Sequence, residues 1–475
     1  MDEPPTPRRR LKRWAPTPVQ LIALSFLSVV TVGWLLLMLP ICGRERPLAP
    51  IDALFLSTTS VCVTGLVTVN LGAAVSDVGH LVVLLLVQVG GLGYMVLSTA
   101  FVLMSATRMP IARRLILRDA LGGDSLAMVP RLWRAVIGFT ALVELTGAAI
   151  LTLHFVVHYG LPWGQASWLG LFHAVSAFCN AGLDIFGLPA HGHWFGAPET
   201  MNSIVAFAGD PLVLVTLATL IVLGGIGFVV VLDVVEWRRP RQLAAHTKIV
   251  LWTTGLLIVL GALGFWIIEH QNRYTLGGLS GPDQLWNALF QSITTRTAGF
   301  ASIDQAHLHV ASKLYTSLLM FIGASPAGTG GGIKTTTFVI ILLASFASVR
   351  GNQDLHIFRR RITHTTVYRA LAVGLAGAVI ALGATFLLSV TEQGGLAGSA
   401  GDAGRILDLF YEACSAFGTV GLSTGLTPSV TVGGKLVLIA TMLAGRIGPV
   451  TIATALLARF RPRHWQYPEG HVLIG

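Results

Sequence analysis

The stretch Ser415-Ala416-Phe417-Gly418-Thr419-Val420-Gly421-Leu422 lies between two long apolar runs and is too short to cross a membrane. It ends in the tetrad Thr419-Val420-Gly421-Leu422, and three earlier tetrads match it: Val63-Thr64-Gly65-Leu66, Asn180-Ala181-Gly182-Leu183 and Thr297-Ala298-Gly299-Phe300. Successive glycines are separated by 117, 117 and 122 residues. An aromatic residue precedes each glycine by nine or ten positions, as Phe55, Phe172, Phe290 and Tyr411. Ser/Thr-rich stretches such as Ser57-Thr58-Thr59-Ser60 and Ser292-Ile293-Thr294-Thr295 fill the interval. Four recurrences at this spacing define an internal repeat.

Outside the tetrads the chain is apolar almost throughout. Of 475 residues, 53% are hydrophobic and 11% charged, against about 25% charged in an ordinary soluble domain. This balance excludes a soluble enzyme. Long apolar stretches fall at about 19–40, 78–106, 131–158, 211–235, 247–268, 312–348, 365–389 and 433–458, each able to span a core of roughly 30 Å. The short segments lie between the first and second of these, the third and fourth, the fifth and sixth, and the seventh and eighth. The expected fold is therefore an all-α polytopic membrane protein. It has four helix–pore-loop–helix repeats around a central ion pore, with eight transmembrane helices and four re-entrant half-helices. The expected boundaries are a basic N-terminal segment 1–17, repeats at 18–106, 107–236, 237–350 and 351–458, and a C-terminal tail 459–475.

The net charge of +10 does not point to nucleic acid, because the basic residues alternate between loops. Of 32 Lys and Arg, 23 fall in the N-terminal run Arg8 to Arg13, the loops Arg108–Arg134, Arg238–Lys248 and Arg350–Arg369, and the tail Arg459–Arg463. That side totals about +15 and the opposite side about −6, which by the positive-inside rule makes both termini cytoplasmic. The first apolar run is about 20 residues long and no A-x-A site follows it, so it reads as a retained helix rather than a cleaved signal. Cys42, Cys62, Cys179 and Cys414 have no C-x-x-C spacing and indicate neither a zinc site nor a disulfide framework.

A segment too short to cross must enter and leave by the same face, and non-helical backbone at that depth needs protein or a water-filled cavity beside it. Four such segments around one axis enclose a cavity. A half-helix entering from outside points its C-terminal partial negative charge at the centre. The stretch after it can then aim carbonyl oxygens at a dehydrated cation, with glycine supplying backbone dihedrals that a side chain forbids. The candidate ion-binding residues are Cys62, Val63, Thr64 and Gly65; Cys179, Asn180, Ala181 and Gly182; Arg296, Thr297, Ala298 and Gly299; and Gly418, Thr419, Val420 and Gly421. Thr419-Val420-Gly421 is close to half of the potassium-channel filter T-V-G-Y-G.

These features resemble the membrane subunit of the bacterial Ktr/Trk potassium-uptake systems, within the superfamily that includes the plant HKT transporters. The resemblance covers nearly the whole chain and is carried by Val61-Cys62-Val63-Thr64-Gly65-Leu66, Gln88-Val89-Gly90-Gly91-Leu92-Gly93, Phe290 to Phe300 and Ser415 to Leu422. The chain begins directly at the first helix of the first repeat, which looks more like the Ktr branch. The resemblance implies one pore per monomer, a homodimer, a bacterial inner-membrane location, and a cytosolic ring of nucleotide-binding regulatory subunits of the KtrA/TrkA kind. Since a serine at the first filter glycine goes with sodium selectivity in HKT relatives, glycine at all four positions implies K⁺ as the transported ion. Na⁺ as activator or coupling ion stays open, and no cofactor is expected.

The sixth apolar stretch is interrupted by Gly323-Ala324-Ser325-Pro326-Ala327-Gly328-Thr329-Gly330-Gly331-Gly332-Ile333-Lys334, which cannot continue as a helix. It resembles the family's intramembrane gating loop under the filter. It is not a phosphate loop, because Ile333-Lys334 stand where Gly-Lys would be needed. Gly323, Ala324, Ser325, Pro326, Gly328, Thr329, Gly330, Gly331, Gly332 and Lys334 are the candidate gate residues, together with Arg446. The arginine lies mid-span, where a charge costs about 2.5 to 3.5 kcal/mol. About 5 Å from the ion path, at an effective dielectric near 20, it would repel a potassium ion by roughly 3 kcal/mol. The alternative is a structural pairing of Arg446 with Glu144 or a carbonyl.

Glu144 itself is either a cation ligand or, the favoured reading, a packing partner for a neighbouring helix, and His154, His158 and His173 are expected at the outer interface. Arg296 is expected to hydrogen-bond filter backbone. Gly90-Gly91-Leu92-Gly93 and Gly224-Gly225-Ile226-Gly227 follow the pattern of close helix packing. The rival functions are a sodium-selective or sodium-coupled transporter on the same fold, and a polytopic membrane enzyme. The second is disfavoured because no His, Asp or Glu clusters stand at facing helix ends.

Overall fold

The computed structural model describes residues 18–107, 125–187, 203–235 and 243–448, apart from 353, 359 and 393–401. The basic segments Arg8 to Arg13 and Arg108 to Arg118, the end of the last span beyond residue 448, and the C-terminal tail lie outside the described residues.

The first repeat comprises α1 (Pro18–Leu37), the short α2 (Pro50–Cys62), a single turn α3 (Leu71–Ala74) and α4 (Asp77–Thr107). The second comprises α5 (Ser125–Tyr159), the short α6 (Trp163–Phe178), α7 (Pro211–Gly225) and α8 (Phe228–Val235). In the third, α9 (Ala245–Glu269) and the short α10 (Gly281–Thr294) precede α11 (Val310–Phe321) and α12 (Thr335–Val349). The fourth opens with an antiparallel hairpin, β1 (Leu355–Ile357) with β2 (Arg360–Ile362), that the sequence reading did not anticipate. It continues as α13 (His364–Thr391), the short α14 (Asp402–Gly418) and α15 (Val432–Ile447).

The local sequence sets the helix ends. Pro stands in the first turn of α2, α7 and α10, where its missing N–H costs nothing. Asp210 caps α7 by accepting from Leu212 N and Val213 N at 3.1 and 3.3 Å. The outer face of α13 carries Leu375, Val379, Leu382 and Phe386, each more than half exposed, while its buried face carries Ala370, Gly377, Ala381 and Ala384. The small residues let neighbouring helices approach, and the exposed apolar stripe needs lipid as its solvent.

Three unbroken helical stretches are long and apolar enough to cross a membrane among the described residues: Ala135–Tyr159, Ala245–Glu269 and His364–Thr391. The fourth apolar stretch, expected as one span from 211 to 235, is instead bent by 96° between α7 and α8. Gly227 makes this bend at φ +88, a left-handed conformation that a side chain disfavours. The freed backbone groups are not left empty, because Gly224 O, Gly225 O and Phe228 N all bond to the interruption between α11 and α12.

Each short helix packs against the last membrane helix or helices of the preceding repeat. Thus α6 touches α4, α10 touches α7, α14 touches α11, and α2 touches α15, which closes the ring. Ion pairs reinforce two of these junctions: Lys313 to Asp408 at 2.8 Å and Lys435 to Asp52 at 2.7 Å, the second joining the fourth repeat to the first.

Candidate ion pathway

The stretch after each short helix alternates in backbone hand. Val63 (φ +48) and Gly65 (+97), Asn180 (+57) and Gly182 (+63), Thr297 (+73) and Gly299 (+82), and Thr419 (+49) and Gly421 (+100) are all left-handed. The intervening Thr64, Ala181, Ala298 and Val420 are not. A regular strand points successive carbonyls in opposite directions, and alternating hand instead turns them toward one side. A non-glycine residue at positive φ is uncommon and marks a functional constraint, so four at equivalent positions are a feature of the repeat.

The amide side of each stretch is satisfied by its own short helix. Thr64 N, Ala181 N, Ala298 N and Val420 N donate to Thr59 O, Ser176 O, Thr294 O and Ser415 O at 2.8, 2.8, 2.9 and 2.8 Å. Hydroxyls complete the support: Gly65 N donates to Thr59 Oγ1 and Gly421 N to Ser415 Oγ, both at 3.0 Å. Ser176 Oγ donates to Leu183 O at 2.7 Å and Thr294 Oγ1 to Phe300 O at 2.8 Å. Among the described residues no backbone N–H donates to the carbonyl oxygens of Val63, Thr64, Asn180, Ala181, Thr297, Ala298, Thr419 or Val420.

The four stretches meet in cyclic order. A Cβ built on Gly65 would lie 2.6 Å from Ala181 O. A Cβ on Gly182 would strike Ala298 O, one on Gly299 would strike Val420 O, and one on Gly421 would strike Thr64 O. Each glycine thus abuts the carbonyl before the next glycine, and the fourth returns to the first. No side chain fits at any of the four positions without moving backbone.

Directly beneath lies the interruption of the sixth apolar stretch, residues 322–334. It is pinned at its ends by Gly323 N to Ile333 O at 2.8 Å, Thr335 N to Ala324 O at 3.3 Å, and Ser325 Oγ with Thr335 Oγ1 at 3.0 Å. The bend of the second repeat holds its flank. Ser325 N donates to Gly225 O and Thr329 N to Gly224 O at 3.1 Å each, Phe228 N donates to Ala327 O at 3.1 Å, and Pro326 O and Gly328 lie against Gly227 and Gly225. Its upper edge touches the glycine-bearing stretches, with Gly330 against the Thr297 side chain and Gly331 N donating to Thr419 Oγ1 at 3.1 Å. Gly332 turns the chain at φ +65 beside Gly418, and Lys334 Nζ folds back onto Gly330 O at 2.6 Å.

Arg446 is buried under this assembly. Its guanidinium donates to Thr329 O through a short hydrogen bond and to Gly90 O on α4 at 2.5 Å. Both backbone-carbonyl pairing and a position under the loop therefore hold at once, and a loop carbonyl is one of the partners. Glu144 takes hydrogen bonds from Gln88 Nε2 on the neighbouring α4 at 3.2 Å. Asn180 links its repeat to the third, its amide lying 3.1 Å from Thr297 Oγ1.

Two expected placements are corrected. His173 is not interfacial: it is 1% exposed, stacked 3.9 Å from Phe186, and accepts on Nε2 from Ile185 N at 3.4 Å, behind the second stretch. Its register on the buried face of α6 places it one residue after Phe172. Arg296 does not bond filter backbone. The short helix of the third repeat ends five residues before its glycine, where the others end three or four before. Arg296 therefore follows the helix end and continues the face of Ile293, turned toward α7 and α9.

Glu412 was not singled out from the sequence. Buried in α14, it accepts from Ser423 Oγ and Thr427 Oγ1 at 2.6 Å and from Thr424 N at 3.0 Å, tethering the segment that leaves the fourth stretch. The available signal is its place directly after the repeat aromatic Tyr411.

A ring of four re-entrant half-helices, each ending in a carbonyl-bearing glycine stretch, defines a polytopic membrane protein with a pseudo-fourfold axis. The chain belongs to the cation transport protein family TrkH, whose family model matches residues 7–464. It is 37% identical to the Ktr system potassium uptake protein B of Bacillus subtilis, with 97% of each chain covered. Over 97% of each chain it is 34% identical to the potassium/sodium uptake protein NtpJ of Enterococcus hirae. The fold is similar to the crystal structure of the potassium transporter TrkH from Vibrio parahaemolyticus, with TM-score 0.69, 17% identity, and 96% of this chain and 88% of that one covered.

Proposed function

We propose that this chain carries K⁺ into a bacterial cell across the inner membrane, through the ring formed by residues 62–65, 179–182, 296–299 and 418–421. The observation that carries this reading is the closed cycle in which each glycine abuts the carbonyl before the next. The amides of Thr64, Ala181, Ala298 and Val420 are consumed by their own helices, and no backbone N–H takes the carbonyls of these stretches. A dehydrated monovalent cation is the ligand that such oxygens suit, and the half-helix C-termini add negative potential. A membrane potential supplies about 2.3 kcal/mol per charge per 100 mV, so inward movement requires no hydrolytic chemistry. The potassium-uptake names of the relatives agree with this choice of ion.

In this reading the loop 323–334 and Arg446 form the gate. The loop lies under the ring, and the arginine holds it by Thr329 O while adding a positive charge to the ion path. Both termini face the cytoplasm, the chain pairs with a second copy, and a cytosolic nucleotide-binding subunit acts on the gate in trans. A second reading, sodium-selective or sodium-coupled transport, is favoured by the potassium/sodium name of the Enterococcus relative. Rubidium-86 uptake into proteoliposomes containing this chain separates the two: excess K⁺ but not Na⁺ abolishes uptake if the ring selects potassium. Equal competition by both ions would overturn that selectivity.

A further inference from the structure

Arg296 occupies an unusual position for a cation in a cation transporter. It is 9% exposed and lies at membrane depth, and its Nε has no hydrogen-bond partner. The side chain lines a small recess of about 20 Å³ behind the third glycine stretch, between α7, α9 and α10. Ile221 and Val222 of α7 and Ile258 of α9 form its apolar walls, and no acidic residue lines it. Thr254 also lines it, and its Oγ1 is likewise buried without a partner. Two orphaned donors, one on α9 and one just past the end of α10, therefore border one small recess.

An arginine cannot shed its proton in a protein, and an unpaired charge in a low-dielectric site costs several kcal/mol. The C-terminus of α10 supplies about half an elementary negative charge at its end. That offsets only part of the guanidinium, and in the proposed function the same half charge serves the ion in the ring. The recess needs a further negative group. Branched walls on both sides favour a compact one over a phosphate or a carboxylate with its substituents.

We infer that the recess binds a small monovalent anion of the halide class, held by Arg296 and the Thr254 hydroxyl, which offsets the arginine's repulsion of cations in the neighbouring ring. The anion is not transported. It neutralises a fixed positive charge beside the pathway, so ion entry becomes dependent on halide.

Two measurements test this on the full-length protein. The first is anomalous diffraction from crystals grown in bromide, which requires no assumption about transport. A bromide peak within hydrogen-bonding reach of the Arg296 guanidinium is expected, and it disappears in Arg296→Gln. A recess that holds only water, or a peak unaffected by that substitution, would overturn the site. The second measurement rests on the transport reading and compares rubidium-86 uptake in chloride and in gluconate at matched membrane potential. For a charge roughly 10 Å from the ions at an effective dielectric near 20, uptake at subsaturating rubidium falls about tenfold in gluconate. Thr254→Val, which keeps the arginine, raises the halide concentration for half-maximal uptake about fivefold through loss of one hydrogen bond. A bromide peak together with uptake indifferent to halide in both proteins would overturn the offsetting role. Absence of any uptake with the peak intact would count against the transport reading and leave the site standing.

Discussion

The guanidinium of Arg446 and the carbonyl oxygen of Thr329 are hydrogen-bonded across 117 residues of sequence, joining the last helix to the loop beneath the glycine ring. The same guanidinium reaches Gly90 O on α4. A single buried charge therefore fixes the loop against the first and fourth repeats, while Gly224, Gly225 and Phe228 fix it against the second.

Removing that charge should release the loop. A buried hydrogen bond to a charged group contributes about 1.5 to 3 kcal/mol, roughly a ten- to hundredfold shift between held and released loop. Arg446→Ala is expected to raise rubidium uptake by the chain alone about tenfold or more. Arg446→Lys keeps the charge but not the two-carbonyl grip and falls between. Unchanged uptake in both variants would remove Arg446 from the gate.

The ring glycines should not tolerate a side chain. In Gly421→Ser the new Cβ meets Thr64 O, and the residue must hold φ +100, a conformation costing about 1 to 2 kcal/mol outside glycine. The carbonyls of Thr64 and Val420 must shift to make room. Competition assays should show the preference for K⁺ over Na⁺ reduced at least about tenfold, since a selective difference of 1.4 kcal/mol corresponds to that factor. Preserved selectivity would mean the ring is not where ions are distinguished.

Gly227→Ala tests whether the bend in the second repeat holds the loop. The residue sits at φ +88 with its Cβ position against Pro326 O, so strain of about 1 to 2 kcal/mol should weaken the docking. The expected result is faster uptake with selectivity intact, because the ring is untouched. Slower uptake, or altered K⁺/Na⁺ preference, would contradict this division of roles.

Glu412→Ala leaves Ser423, Thr424 and Thr427 without their common acceptor. Leaving buried donors without their acceptor costs about 1 to 3 kcal/mol for each donor. Thermal unfolding in detergent should move markedly downward, and added K⁺ should stabilise the variant less than it stabilises the native protein. Glu412→Gln keeps one acceptor oxygen and should be milder. Equal stability of Glu412→Ala and native protein would show the tether to be dispensable.

The fourfold plan was legible because its signals are local: an aromatic, Ser/Thr residues and a glycine at fixed spacing. Thr59, Ser176 and Ser415 stand six residues before their glycines, and the structure uses each to support the backbone there. Gly224 packs closely as its sequence suggests, against Phe178 O, but the bend beside it has no local signal because its cause is distant. Its backbone partners lie about a hundred residues later, in Ser325, Ala327 and Thr329. Arg296 departs from the expected bond to filter backbone for a local reason: the short helix of the third repeat ends early, and the side chain turns outward from the ring. The role of Glu412 is not legible in the sequence because its partners follow it by 11 to 15 residues in a loop with no periodic pattern.

The central claim is that the four glycine stretches form one cation site. Thallium, a heavy analogue of potassium, allows it to be tested directly by anomalous diffraction from crystals soaked in thallous salt. An anomalous peak is expected on the pseudo-fourfold axis, coordinated by the carbonyl oxygens of Thr64, Ala181, Ala298 and Val420, and displaced by K⁺ but not by Na⁺. Thallium bound elsewhere, with none on that axis, would contradict the account.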